Sequence, residues 1–205
     1  AEDDITAQAS RGLRDYTPHL KIDGLQGKRI GVARNYFGNV PRVDAVMEEQ
    51  LKVLLAQGAE LIDVRLEMAG AGEASSKVLS FEFKDGLNRY LSQRGGAVKT
   101  LEELIAFNTA NADRQMPYFK QEILIAAQNR ASLASREYQL ALMQAKTLSQ
   151  EAIDGVMDKH RLDAIVGPSN GAAWPIDLVN GDGGSRNSYV ASSSPAAIAG
   201  YPNIT

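Results

Sequence analysis

The chain contains no cysteine, two histidines and a single tryptophan in 205 residues. Lack of cysteine removes disulfides, thiolate metal sites and a cysteine nucleophile. It does not separate a reducing compartment from an oxidising one. His19 and His160 stand far apart in sequence, and neither has a neighbour at ligand spacing. Zinc needs three or four clustered donors, so no metal and no cofactor is expected. An excess of positive charge is missing as well. Twenty-two Lys and Arg stand against 25 Asp and Glu, a net charge of -3 with the signs mixed along the chain. Without a basic stripe, a nucleic-acid partner is not expected. No apolar run reaches the roughly 18 residues that a membrane span requires, so no membrane partner is expected either. The opening "AEDDITAQASRG" is acidic and polar, unlike a signal or transit peptide. Compartment stays open between cytoplasm and periplasm, and so does self-association into a homo-oligomer.

What is present is ordinary for a globular chain: 44% hydrophobic and 23% charged residues. Residues 1–27 read as a polar lead-in, and 28–205 as one α/β region. "KRIGVAR", Lys28 to Arg34, is a short apolar run bounded by Gly27 and Gly38, the pattern of a buried strand. Pro41 then opens a helix whose apolar face holds Val43, Val46, Met47, Leu51, Leu54 and Leu55, with Gly58 as its C-terminal cap. "ELIDVRL", Glu60 to Leu66, alternates like a strand. A strand–helix–strand unit with parallel strands follows from that order. The middle of the chain predicts helices over 71–94, 100–112, 117–129 and 134–160. Thr100 and Glu103 have the spacing of a capping box. "LDAIVGPSN" predicts a third strand, Leu162 to Val166, and 171–194 reads as a long loop of the sort that is often functional. The expected class is α/β, with a few-stranded mixed or parallel sheet and several helices. Three strands make a thin sheet for so many helices. "NIT", Asn203 to Thr205, looks like the first residues of a further strand.

Most candidates for chemistry have a plainer explanation beside them. A Lys77–Ser80 pair could share a helix face, but a lysine base must be desolvated to lose its proton near neutral pH. No G-x-S-x-G elbow is present. "NGDGGS", Asn180 to Ser185, lacks the lysine and the apolar helix of a phosphate loop. Glu82, flanked by Phe81 and Phe83, is either a pocket-facing acid or a residue of the helix surface, with the second reading favoured. Ser169 and Asn170 follow the third predicted strand, at the carboxyl end where open α/β sheets bind ligands. Trp174 lies in the loop beyond, lining a pocket or plugging a core.

Three segments, in order, resemble one family. "GLQGKRIGVARNYFG", "LDAIVGPSNGAAWPID" and "SSSPAAIAGYPNIT" are similar to stretches of amidase-signature enzymes, nearest to peptide amidases and similar bacterial amidases. The resemblance spans roughly residues 24 to 205. It implies an incomplete piece of the amidase-signature fold and hydrolysis of carboxamide C–N bonds. Such enzymes use a Ser–Ser–Lys triad in a Gly/Ser-rich core, with backbone N–H groups as the oxyanion hole. No run of that kind occurs here, so the family's catalytic residues carry over to no position. On this reading the chain is the later part of a longer enzyme, partnered by a missing N-terminal catalytic part and acting on a small amide substrate. It would supply one wall of the cleft: Ser169 and Asn170 after the third strand, Trp174 in the 170–194 loop, and Glu82 on the 72–90 helix. Two alternatives stay open. A small-molecule binding module predicts a complete sheet, and a helical interaction protein predicts exposed apolar surface on the helices rather than beside the sheet.

Overall fold

The computed structural model describes residues 13, 15–171, 173, 176–179 and 192–205. Three strands, β1 (Arg29–Ala33), β2 (Glu60–Val64) and β3 (Ala164–Val166), form one sheet in the order β2-β1-β3. Both pairings are parallel, with Arg29 opposite Glu60 and Ile30 opposite Ala164. The sheet expected as mixed or parallel is therefore wholly parallel. Central β1 is buried from Ile30 to Ala33, as its apolar run predicts. Gly31 has a specific reason to be glycine. A Cβ there would meet Leu162 Cδ1 at 2.6 Å and Val64 Cγ2 at 3.2 Å, so the neighbouring chain segments close in where a side chain would stand.

Seven helices accompany the sheet among the described residues: α1 (Pro41–Ala56), α2 (Ala71–Gln93), α3 (Leu101–Ala110), α4 (Ala112–Gln115), α5 (Glu122–Gln128), α6 (Arg136–His160) and α7 (Ser194–Ala199). Pro41 takes the first turn of α1, and Gly58, at φ +88°, follows its last turn. Gly58 N–H donates to Leu55 O and Ala59 N–H to Leu54 O, the paired bonds of a Schellman cap. Arg161 ends α6 in the same left-handed geometry at φ 51°, with Leu162 N–H on Met157 O at 2.9 Å. Only Leu51 of the apolar face of α1 is buried, while Val46 and Leu55 stay exposed.

The helical layer is built on α2 against α6. Ala71, Ala74, Phe81 and Leu91 of α2 are buried. On α6 the buried stripe is Tyr138, Ala141, Ala145 and Ser149, spaced at three and four residues. Small side chains in that stripe let the helix axes approach. The Phe81 and Tyr138 rings meet at 5.6 Å between centroids. Ser149, fully buried, is satisfied because its hydroxyl donates to Pro195 O at 2.6 Å.

Several boundaries differ from those the sequence predicts. The expected 100–112 helix divides at Asn111, whose side-chain amide donates to Phe107 O at 2.8 Å and ends α3 before the single turn of α4. Thr100 caps α3 as predicted, accepting from Glu103 N–H at 3.1 Å, while the Glu103 carboxylate accepts from Lys99 N–H. The expected 117–129 helix begins only at Glu122. Gln121 is held by Ile105 O, Thr109 and Asn108 of α3, and that network fixes the preceding stretch in non-helical form. The expected strand at 203–205 does not form. These residues are exposed and hydrogen-bond to no strand edge among the described residues, and a strand exists only through such pairing.

Candidate functional site

The carboxyl ends of β1 and β3 open onto a groove of about 510 Å³. It runs along β3 between the sheet, the end of α6, α7 and the segment 201–204. Each wall is pinned by local chemistry. The Asn35 side chain acts as an extra strand residue, its Nδ2 donating to Leu66 O at 3.1 Å and its Oδ1 accepting from Leu66 N–H at 3.0 Å. This locks the single 3-10 turn Arg34–Tyr36 that follows β1. Arg34 Nε donates to Asp63 at 2.8 Å, its Nη1 pairs with Glu48, and its guanidinium lies 4.9 Å over the Phe37 ring. Burial works against the Arg34 charge, yet the hydrogen bonds to Asp63 and Glu48 outweigh it and raise the pKa. On the opposite wall, Ser149 and Gln150 of α6 hold the Pro195 and Ala199 carbonyls, and the Tyr201 hydroxyl donates to Asp154 at 2.8 Å.

Ser169 lines the groove at the end of β3, as its position after the strand suggested. Its hydroxyl lies 3.1 Å from that of Thr205. Asn170 is exposed one residue further on, its Oδ1 accepting from Gly171 N–H. Trp174 and the glycine-rich "NGDGGS" lie outside the described residues. Glu82 is not brought to this place. It sits on the exposed side of α2 and accepts from the Tyr138 hydroxyl at 2.7 Å. That bond, followed by burial, raises the Tyr138 pKa. Lys77 is 42% exposed and pairs with Glu73 at 2.9 Å, and Ser80 instead accepts from Arg130. The Lys77–Ser80 pair is thus not assembled.

Tyr36 and Ser192 are among the groove residues that went unnoticed in the sequence. The Ser192 hydroxyl donates to Pro168 O and ties α7 to the end of β3. Tyr36 carried one readable signal, its place just after the central strand. Among the described residues the one charged side chain lining the groove is Asp163, at the far end of β3 from Ser169. Asp163 is already engaged, with Lys28 Nζ at 2.7 Å and Arg29 N–H at 2.9 Å, and these bonds lower its pKa. No described lysine or histidine lines the groove, so none of them stands as a base beside its serines. Among the described residues no three His, Asp or Glu cluster closely enough to hold a metal ion, and no helix is long and apolar enough to cross a membrane.

The model of the Amidase family matches residues 2–205. The chain belongs to the amidase family. A probable amidase of Arabidopsis thaliana is 27% identical over 212 residues, covering 98% of this chain and 36% of the relative. A glutamyl-tRNA(Gln) amidotransferase component from Thermoanaerobacter pseudethanolicus is 29% identical over 161 residues, covering 76% of this chain and 32% of that relative. A solved peptide amidase in complex with the competitive inhibitor chymostatin superposes with a TM-score of 0.82 at 33% identity, over 98% of this chain and 41% of that one. This chain spans less than half the length of these relatives. The parallel sheet and helices of its described residues are a piece of the larger amidase fold. Apolar side chains are exposed on the helices, among them Phe107 and Ile123, as well as half-exposed beside the sheet at Ile165 and Val166. Location of apolar surface therefore does not separate an amidase piece from a helical interaction protein, whereas the family match does.

Proposed function

We propose that this chain forms scaffold and one wall of the substrate cleft in an amidase that hydrolyses carboxamide C–N bonds. The nucleophile, its base and the oxyanion donors come from polypeptide outside the chain. One observation supports this most directly. A chain that matches the amidase model over residues 2–205 has a groove at the carboxyl end of its sheet in which no described serine has a base beside it. Ser169 faces another hydroxyl, and Ser192 is spent on a backbone carbonyl. A serine with neither base nor oxyanion donors forgoes many factors of ten in rate.

Within the cleft, Ser169 and Asn170 contact the substrate from the end of β3, and Trp174 does so from the loop beyond. Glu82 is proposed to contact the substrate from α2, apart from this groove. A groove whose charged lining residue is already paired suits an uncharged amide, because burying an unpaired charge there would be unfavourable. The test is kinetic. In the full-length polypeptide carrying this sequence, Ser169→Ala and Trp174→Ala are expected to alter KM and the ranking of amide substrates. Residues 1–205 alone are expected to release no ammonia above the uncatalysed rate. Turnover by 1–205 that disappears on changing one of its own serines would overturn the reading.

A further inference from the structure

The sequence pairs asparagine with glycine twice, at Asn170-Gly171 and Asn180-Gly181, and the first pair lies among the described residues. Asparagine is a thermolabile residue. Its side-chain amide carbon is open to attack by the backbone nitrogen of the residue that follows, and glycine obstructs that approach least because it has no Cβ. Three features of Asn170 favour the attack. It is exposed, one position beyond the groove residue Ser169. Neither Asn170 nor Gly171 belongs to a helix or strand, so no ladder of hydrogen bonds restrains the backbone from turning. Gly171 N–H donates to Asn170 Oδ1 at 3.0 Å, so the carbon bonded to that oxygen already stands close to the nitrogen. Two groups held together in this way react as one molecule rather than two. Other asparagines are engaged elsewhere. Asn35 is bonded to Leu66 in both directions, Asn88 Oδ1 accepts from Leu101 N–H at 2.7 Å, and Asn111 Nδ2 donates to Phe107 O at 2.8 Å. The residues that follow them, Tyr36, Arg89 and Ala112, all carry a Cβ.

We propose that Asn170 is a site of spontaneous modification, deamidated through a cyclic imide formed with Gly171. The Gly171 nitrogen gives its proton to solvent base and bonds to Asn170 Cγ. The Cγ–Nδ2 bond breaks, and Nδ2 takes a proton from solvent and leaves as ammonia. Water then opens the imide at one of its two carbonyls. Cleavage of the new bond to Cγ leaves aspartate in an ordinary backbone. Cleavage of the original peptide bond leaves an isoaspartyl residue, whose main chain runs through the former side chain. The balance is one water consumed and one ammonia released, with nothing oxidised or reduced. Either product puts a carboxylate just beyond the end of β3, and the isoaspartyl form also lengthens the main chain there by one carbon. On the function proposed above, that charge alters a wall suited to an uncharged amide, but the modification itself does not depend on that function.

The experiment incubates the full-length polypeptide carrying this sequence at mildly alkaline pH for days, both folded and in urea. Peptide mapping by mass spectrometry reads the exchange of amide nitrogen for oxygen at each asparagine, and chromatography separates isoaspartyl from aspartyl peptides. In the folded protein Asn170 is expected to lose its amide several-fold faster than Asn35 and to yield both products. Gly171→Ala is expected to slow that loss several-fold and to leave Asn35 unchanged. An Asn170 that stays intact in the folded protein but is modified in urea would overturn the inference, because the fold would then hold the nitrogen away from Cγ. Loss at Asn170 no faster than at Asn35 would overturn it as well. So would a product that is aspartyl alone, the mark of direct hydrolysis without the ring. All of these outcomes are read by mass rather than by turnover, so an enzyme that hydrolyses no carboxamide would overturn the proposed function and not the modification.

Discussion

Replacing Gly31 with alanine tests the packing of the whole sheet. The added Cβ would stand 2.6 Å from Leu162 Cδ1, 3.2 Å from Val64 Cγ2 and 3.6 Å from Ile165 Cγ1. Ordinary carbon contacts lie near 3.5–4.0 Å, so the Leu162 methyl must withdraw by about 1 Å. Leu162 is buried at 8% exposure and Val64 at 5%, so both side chains stand among packed neighbours. Overpacking of this kind costs about 1–3 kcal/mol. Unfolding entropy near 2.1 cal/mol/K per residue over 205 residues gives about 0.43 kcal/mol/K, so 2 kcal/mol corresponds to roughly 5 °C in Tm. The control is Gly155→Ala, in the interior of α6, where a Cβ meets nothing within 4 Å. That change is expected to stabilise by about 0.5–1 kcal/mol, because alanine loses less backbone freedom in a helix. Both variants are to be compared with the parent by urea unfolding and by thermal scanning. A Gly31→Ala protein as stable as the parent would refute the close approach of β1, β2 and the start of β3.

Other substitutions probe the joints between layers. Lys84 Nζ donates to Gln128 O and Arg130 O, both at 2.7 Å, and so closes the end of α5. Lys84→Met is expected to cost about 1–3 kcal/mol in urea unfolding and to raise amide exchange in 122–130, since hydrogen bonds to a charged donor are the stronger ones. Phe81 is 1% exposed, against Tyr138 and beneath Arg130, and Phe81→Ala is expected to cost about 3–5 kcal/mol measured the same way. Asp163 has a lowered pKa, first through Lys28 and then through Arg29 N–H. Its stabilising contribution is therefore present above the unfolded carboxylate value near 3.8 and is lost as pH falls through the lower folded value. Asp163→Asn should be the less stable protein at pH 6, and its stability should fall less between pH 5 and pH 2. Parallel stability curves for the two proteins would show that the ion pair contributes nothing.

Sequence periodicity located the three strands of the described residues and the long helices because those signals are local. The apolar run of "RIGVA", Pro41 at a first turn, Gly58 beyond a last turn and Thr100 with Glu103 each act through residues within four positions of one another. The 117–129 prediction failed for the opposite reason. Gln121 is bound by residues 12 to 16 positions away on α3, and no local pattern encodes that. Segment similarity to a family carried further than propensity did, because it draws on residue order over nearly the whole chain.

The site divides along the same line. Ser169 and Asn170 were legible because a strand's carboxyl end can be read from where its apolar run stops. Glu82 was ambiguous between two apolar neighbours, and only the packing of α2 on α6 decided that it faces Tyr138 on the surface. Tyr36 was marked in the sequence only by its place just after the central strand. Its place depends on Asn35 reaching Leu66, 31 positions away, and on α7 closing the groove's far wall through Ser149. Local sequence thus determined which segments become strands and helices. Which side chains meet in the groove was decided by contacts between segments remote in the chain, whose free energy appears only once the layers are assembled.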